Sequence, residues 1–179
     1  MKYLVFVLVL LPSFAFAQVG DTYENYLHGD FFDFFHATEI QRTPYKNGDL
    51  REIKIGGFQD YITIYIYTDS VSSIIHEATL EIDREWMEGE NTSDLSRDLV
   101  KSFLLDFICK ADQPKAMAAG DLLFNHKTTK DKFALDLQDV FNNKKDSITQ
   151  QFSKCKLKAE NFKKEDKTYF QLKIDDSTH

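Results

Sequence analysis

The chain has 179 residues, of which 28% are charged, and its formal net charge at pH 7 is -7. This acidic balance argues against nonspecific attraction to nucleic acid or to anionic membranes, so neither is an expected partner. The length suits one domain with a sizeable core better than two domains.

Residues 1–17 have the order of a secretory signal peptide. One positive charge is followed by a short apolar run, and Ala15-Phe16-Ala17 forms a small-x-small cleavage site before Gln18. The run is shorter than the roughly 20 residues that a membrane-spanning helix needs. We therefore predict a cleaved signal, a single α+β domain over 18–179, export to the periplasm or extracellular space, and no stable membrane anchor after cleavage. An uncleaved signal anchor is the alternative.

The two cysteines, Cys109 and Cys155, are predicted to form a disulfide bond, because exported proteins fold in an oxidising compartment. The alternative is a pair of buried free thiols, since sequence alone does not place the two Cβ atoms within bonding reach. Neither cysteine belongs to a Cys-x-x-Cys motif, which gives a redox or nucleophilic role little support.

A first helix is predicted from Asp21 to about Ile40, because Tyr and Phe side chains recur there at helical spacing. Asp21 or Thr22 is its candidate N-cap, and Gly29 is a candidate interruption. Turn residues at Pro44 and at 47–49 separate this helix from the next element.

Three strands are predicted next, around 52–55, over 61–68 and over 76–86. Each alternates apolar and polar residues with a period of two, and the middle strand is the clearest example. Short turns between them indicate an antiparallel meander with one face on the core.

A helical middle follows, with helices predicted from Thr92 or Ser93 to about Lys110, over 115–126 and over 130–143, and a weaker helical turn at 146–152. Alternation then returns over 155–160 and 169–174, which predicts a C-terminal β-hairpin. The predicted fold class is therefore α+β, with an N-terminal helix, a three-stranded meander, a helical middle and a hairpin that completes one sheet.

Signatures of catalysis or of cofactor binding are absent from the sequence. The Gly-x-Ser-x-Gly elbow, the dinucleotide-binding glycines and the phosphate loop do not occur, and His76-Glu77 lacks the second histidine of a zinc-protease motif. His28, Asp30, Asp33 and His36 are metal-ligand types, although ordinary solvated positions explain them better. We expect no cofactor and no metal, and an enzyme is the less favoured class.

Tyrosines on one face of the middle strand are the best candidates for a binding surface, namely Tyr61, Tyr65 and Tyr67. Tyrosine joins apolar area to a hydrogen-bonding tip and is enriched at recognition surfaces. If helices cover that face, however, the same residues form a second core layer, and the sequence favours neither reading.

A second candidate is the acidic run that includes Glu81, Asp83 and Glu85, which would accept a cation or a basic partner, although a water-facing strand commonly has this composition. Arg84 alternates toward the apolar side, where it needs a partner. Stacking on Trp86 or pairing with Asp94 or Asp98 would supply one.

These observations favour an exported binding or accessory protein that recognises a protein partner, as an envelope inhibitor or immunity protein does. Two alternatives remain open at this point. The high aromatic content would suit a carrier of a small apolar ligand, and a hydrolase whose catalytic residues are dispersed in sequence would show no motif.

Overall fold

The computed structural model describes residues 18–124 and 130–176, which form one antiparallel sheet of seven strands with helices on one face. The strands lie in the order β1-β2-β3-β4-β7-β6-β5. They are β1 Ala37–Tyr45, β2 Gly48–Ile55, β3 Ile62–Asp69, β4 Ile75–Asp83, β5 Ser147–Gln151, β6 Cys155–Lys164 and β7 Lys167–Asp176. The helices are α1 Tyr23–Leu27, α2 Asp30–Phe34, α3 Arg84–Met87, α4 Ser93–Phe107, α5 Gln113–Phe124 and α6 Lys132–Phe141.

Alternation of apolar and polar residues fixes which face of the sheet is buried. In β3 the side chains of Ile62, Ile64 and Ile66 are almost fully buried, whereas Tyr65 and Tyr67 are half-buried on the opposite face. Because successive side chains on a strand point to opposite faces, this period sets the register of the whole sheet. In β4 the cross-strand partners of these isoleucines are also apolar and buried, whereas in β2 the buried partners are Ile53 and the charged Arg51.

The helical layer covers the face that carries these isoleucines. Helix α4 buries a stripe that includes Phe103 and Phe107, and it packs against α5, which in turn packs against α6. Helix α6 is capped by Asp131, whose carboxylate accepts hydrogen bonds from the backbone N–H groups of Phe133 and Ala134 and so satisfies two of the first-turn donors. In the described part of the chain, no helix has the length and hydropathy needed to cross a bilayer.

An aromatic cluster attaches the N-terminal segment to this layer. Tyr26 is fully buried, and its ring centroid lies 4.9 Å from that of Phe32 and 4.6 Å from that of Phe107. Backbone hydrogen bonds continue the attachment, from Val19 N–H to the Phe107 carbonyl and from Gly20 N–H to the Ile75 carbonyl. Most of the aromatic side chains that follow Asp21 are therefore buried in the core.

The structure confirms the α+β class and the joining of the C-terminal strands to the same sheet, and it corrects two elements. The single helix predicted from Asp21 to about Ile40 is instead two short helices, α1 and α2, and its last residues are wrong because β1 begins at Ala37. The helical turn predicted at 146–152 is the strand β5. The meander consequently has four strands instead of three, and the sheet has seven.

Candidate functional site: a trough on the open face of the sheet

The sheet face opposite the helices carries polar and aromatic side chains, and we call it the open face. One row across it runs from Leu50 through Tyr67, Glu77 and Asp175 to Lys156, as the strand register requires. These side chains are half-buried or exposed, and no helix in the described ranges packs over them. The open face is thus accessible across most of its width.

Two adjoining concavities on the open face form what we call the trough. The larger has a volume of about 820 Å³ and lies beside the β1–β2 turn, where Lys46, Tyr67 and Lys156 are among the residues that line it. The smaller has a volume of about 320 Å³, and its lining includes Tyr45 and Tyr65. Glu77 and Lys173 line both concavities, so the two lie next to each other on the sheet.

Two tyrosines and a lysine form the aromatic end of the trough. The rings of Tyr45 and Tyr67 meet edge to face, with centroids 5.4 Å apart and an interplanar angle of 85°. The Lys46 ammonium lies 4.9 Å from the Tyr45 centroid and 5.0 Å from the Tyr67 centroid, which is cation–π geometry. Tyr45 belongs to β1 and Tyr67 to β3, so their contact spans the strand between them.

Gly48 lies in that intervening strand and allows the close approach of its backbone to β3. A Cβ atom built on Gly48 would lie 1.9 Å from the carbonyl oxygen of Thr68, a distance that no real side chain adopts. Gly48 pairs with Tyr45 on one side and with Asp69 on the other. We infer that any larger residue at position 48 would open the β2–β3 ladder beneath the aromatic end of the trough.

Charged groups in the trough are largely paired with one another. Lys173 forms an ion pair with Glu77 at 2.7 Å, and Lys46 approaches the same carboxylate at 3.9 Å. Asp175 lies directly opposite Glu77 on the adjacent strand, and burial raises its pKa. The trough therefore presents a mixture of charges, amides and aromatic rings to solvent.

Tyr65 and Glu81, both predicted as binding residues, line the smaller concavity. Burial, and secondarily the charges of Glu81 and Glu52, raise the pKa of Tyr65 to about 12, so its phenol stays neutral and able to donate a hydrogen bond at physiological pH. Glu81 accepts a hydrogen bond of 2.8 Å from the side-chain amide of Gln171. Both side chains are half-buried and reachable from solvent.

Tyr61 is separated from the other two tyrosines. It precedes β3, six residues and about 20 Å of strand from Tyr67. Its ring stacks on Trp86 with centroids 6.2 Å apart, at the opposite end of the sheet. The structure therefore brings Tyr65 and Tyr67 together in the trough and places Tyr61 outside it.

The acidic run does not form one strand face, because β4 ends at Asp83 and Glu85 lies in α3. Asp83 is buried, accepts a hydrogen bond from the Glu85 backbone and pairs with Lys167 at 2.8 Å. Glu85 is exposed beside Tyr61 and Trp86. Among the predicted acidic residues, Glu81 alone lines the trough.

Arg84 is buried as predicted, but its predicted partners are wrong. Its guanidinium donates to the carbonyl of Phe141 at 2.6 Å and pairs with Glu88 at 2.6 Å. The carbonyl belongs to the last residue of α6, so Arg84 ties that helix end to α3. This arrangement is structural, since a carbonyl at a helix C-terminus needs a donor.

Asp69 organises the turn between β3 and β4 at the edge of the larger concavity. Hydrogen bonds from the Ser72 hydroxyl and from the backbone N–H groups of Ser72, Val71 and Ile74 hold the pKa of Asp69 well below its usual range. The ionised carboxylate therefore stabilises the folded state above the unfolded pKa of about 3.9, and this contribution is lost as the pH falls through the folded value.

We accordingly predict that Asp69→Asn lowers the thermal midpoint at pH 7. The difference in thermal midpoint between the variant and the parent should become smaller once the pH falls below about 4. Thermal denaturation at pH 7 and at pH 3 measures both values. Asp60→Asn removes the same charge at an exposed position and is the matched control. A difference for Asp69→Asn that stays constant with pH would contradict the assignment.

Cys109 and Cys155 lie side by side between the end of α4 and the start of β6. Both are buried thiols, and the backbone N–H of Cys109 donates to Cys155 Sγ at 3.5 Å. A hydrogen bond between the two side chains lowers the pKa of Cys109 and raises that of Cys155. The disulfide bond between Cys109 and Cys155 therefore stays a prediction, and the structure places the two thiol side chains in contact.

Sequence reasoning missed most of the trough, including Tyr45, Lys46 and Lys173. Tyr45 and Lys46 fall where a turn was predicted after Pro44, and Lys173 was assigned only as a strand position. The available signal was Tyr45-Lys46-Asn47-Gly48, since a polar pair before glycine and after an aromatic residue is typical of a hairpin turn.

No family model, curated protein or solved structure matches this chain. Within residues 18–124 and 130–176, no three His, Cys, Asp or Glu side chains are grouped as metal ligands would be. The functional interpretation therefore depends on the geometry and chemistry of the trough.

Proposed function

We propose that this is an exported, non-enzymatic binding protein that recognises a protein partner through the trough on the open face. The proposal includes cleavage after Ala17 and residence in the periplasm or the extracellular space. An oxidising compartment of that kind would suit the adjacent pair Cys109 and Cys155. An inhibitor or an immunity protein of the cell envelope would have these properties.

The observation that carries the proposal is the absence of a helical layer over the open face in the described part of the chain. The aromatic rings of Tyr65 and Tyr67 are half-buried there, so each is partly covered by its neighbours and partly exposed to solvent. Protein interfaces are enriched in tyrosine and have satisfied polar groups around an aromatic centre. The trough has both features, with the tyrosines at its centre and the pair Glu77 and Lys173 beside them.

A carrier of a small apolar ligand is less well supported. A carrier site is mostly apolar and encloses most of its ligand. The two concavities of the trough are open to solvent, and charged side chains such as Glu77, Lys156 and Asp175 line the larger one. Removing such groups from water to bury an apolar ligand would cost free energy.

The test compares mature parent protein with a Tyr45→Ser, Tyr67→Ser double variant in a pull-down from envelope extract. We expect a specific protein band for the parent that weakens at least tenfold for the variant, because alanine-scan losses at aromatic anchors often exceed the roughly 1.4 kcal/mol that a tenfold change requires. Circular dichroism establishes that the variant is folded.

Phe34→Ser provides the matched control for this experiment. Phe34 is 73% exposed and belongs to α2, which packs against α4 on the helical side of the sheet. The control loses an exposed aromatic ring but leaves the trough intact, so it should retain the band. Equal loss in both variants, or identical lanes for all three proteins, would contradict recognition through the trough.

A hydrolase is the second candidate, and one observation favours it. Glu77 and Asp175 face each other across two strands, with Glu77 held by lysines while burial raises the pKa of Asp175. Two neighbouring carboxyl groups in different environments commonly supply the acid and the base of a hydrolytic reaction. Turnover of a chromogenic glycoside or ester that Asp175→Asn abolishes would favour this function, and no turnover would leave binding as the better proposal.

A further inference from the structure

We propose that Tyr45, Tyr67 and Glu77 form a cage for a basic side chain of the partner, and that Lys46 is an internal occupant which the partner's lysine or arginine displaces. The inference rests on the proposed function only for the identity of the ligand as a partner protein. It adds the chemical class of the group that is recognised.

The cage has the geometry that binds organic cations. Two aromatic rings stand almost perpendicular, and an ammonium group lies within 5.0 Å of both centroids. A carboxylate, Glu77, lies 3.9 Å from the same ammonium. A cation within about 6 Å of an aromatic centroid is attracted by the negative face of the ring, and a nearby carboxylate adds to that attraction.

Lys46 fills this cage from the β1–β2 turn and is only weakly held. Its side chain is 53% exposed, and its separation from Glu77 is much longer than the 2.7 Å between Lys173 and Glu77. The backbone of Lys46 has φ = 51°, in the left-handed region that non-glycine residues occupy at a cost. An exposed ammonium on a flexible stem can move into solvent without disturbing the turn.

Charge favours a basic replacement over an acidic or neutral one. When Lys46 leaves, Lys156 and Lys173 face a larger set of carboxylates in the same concavity, namely Asp69, Glu77, Asp175 and Asp176. The chain as a whole carries a net charge of -7. A protruding lysine or arginine from a partner would restore the lost pairing and would be steered toward this end of the trough.

The experiment uses defined peptides and the full mature chain. Acetyl-Gly-Lys-Gly-amide and its norleucine analogue, which lacks only the ammonium group, are titrated while NMR follows the ring signals of Tyr45 and Tyr67. We expect Lys46→Ala to bind the lysine peptide about fivefold more tightly than the parent, because the internal competitor is removed. Tyr67→Leu in the Lys46→Ala background should abolish the binding.

Lys156→Ala is the matched control, since it removes the same charge from the same concavity but leaves the cage occupied. Its gain in affinity for the lysine peptide should be much smaller than that of Lys46→Ala, because Lys46 still occupies the cage. Equal gains for Lys46→Ala and Lys156→Ala would reduce the effect to general electrostatics and overturn the cage. Equal binding of the norleucine peptide, or no gain for Lys46→Ala, would overturn it as well.

These outcomes are distinguishable from those of the pull-down. If the tyrosine substitutions abolish capture of a partner while the lysine peptide never binds, recognition through the trough is supported and the cage is contradicted. If the lysine peptide binds as expected while the tyrosine substitutions leave capture of every partner unchanged, the cage is supported and the proposed function is contradicted.

Discussion

Phe107→Ala is expected to lower the free energy of unfolding by about 3–5 kcal/mol, the range for removing a buried phenylalanine ring. Phe107 is fully buried, and its ring centroid lies 4.6 Å from those of both Tyr26 and Phe103. Its removal would leave a cavity where the N-terminal segment meets α4. Chemical denaturation monitored by circular dichroism measures the change.

The same measurement on Phe34→Ala supplies the comparison. Phe34 belongs to the same aromatic stretch of sequence as Phe31 and Phe32, but its side chain is 73% exposed. Its substitution should change the unfolding free energy by less than about 0.5 kcal/mol, as is usual at a surface. Similar losses for Phe107→Ala and Phe34→Ala would contradict the placement of the N-terminal segment against α4.

The second large effect concerns the disulfide that we predict between Cys109 and Cys155. Forming the bond removes one proton from each thiol and transfers two electrons to an external disulfide, such as oxidised glutathione. The residues are 46 positions apart, and a crosslink over such a loop stabilises the folded state by roughly 4 kcal/mol through the entropy of the unfolded chain. Adding dithiothreitol should therefore shift the denaturation midpoint strongly downward.

A Cys109→Ala, Cys155→Ala variant is the control for this measurement, because dithiothreitol should leave its midpoint unchanged. Mass spectrometry of the oxidised parent should also show the loss of two hydrogen atoms. The disulfide prediction would be contradicted if both thiols of the oxidised protein stayed reactive, or if the reductant left the parent's midpoint unchanged.

The two strands that the sequence did not reveal, β1 and β5, are the two edges of the sheet. An edge strand has one neighbour, and in β1 most side chains are exposed on both faces, so the apolar alternation that identifies a strand is missing. Pro44 further suggests a turn, although an edge strand tolerates proline. The inner strands were predictable because burial of one face imposes the alternation.

The residues at which the helices end were likewise not predictable from the local sequence. The aromatic spacing of α2 continues past its last residue, and the chain leaves the helix at His36, where φ is 48°. Nothing in a histidine demands that conformation. The run from Asp83 to Trp86 also keeps a strand-like alternation, yet Asp83 caps α3 and ends β4.

The candidate site was partly predictable for the same reason. Tyr65 and Tyr67 follow from the clear alternation of β3, but whether helices cover them depends on the path of distant segments. The contact between Tyr45 and Tyr67 joins two strands that are not neighbours, and it lies beside Gly48, where a side chain would collide with the Thr68 carbonyl. Local sequence does not predict a contact between side chains of two non-neighbouring strands.

Site-specific photo-crosslinking tests recognition through the open face most directly. Benzoylphenylalanine replaces Tyr45 in the trough or Phe34 on the helical side, and each protein is irradiated in envelope extract. We predict a discrete crosslinked product for position 45 that is absent for position 34. Products from position 34 alone, or the same products from both positions, would contradict a partner-binding trough.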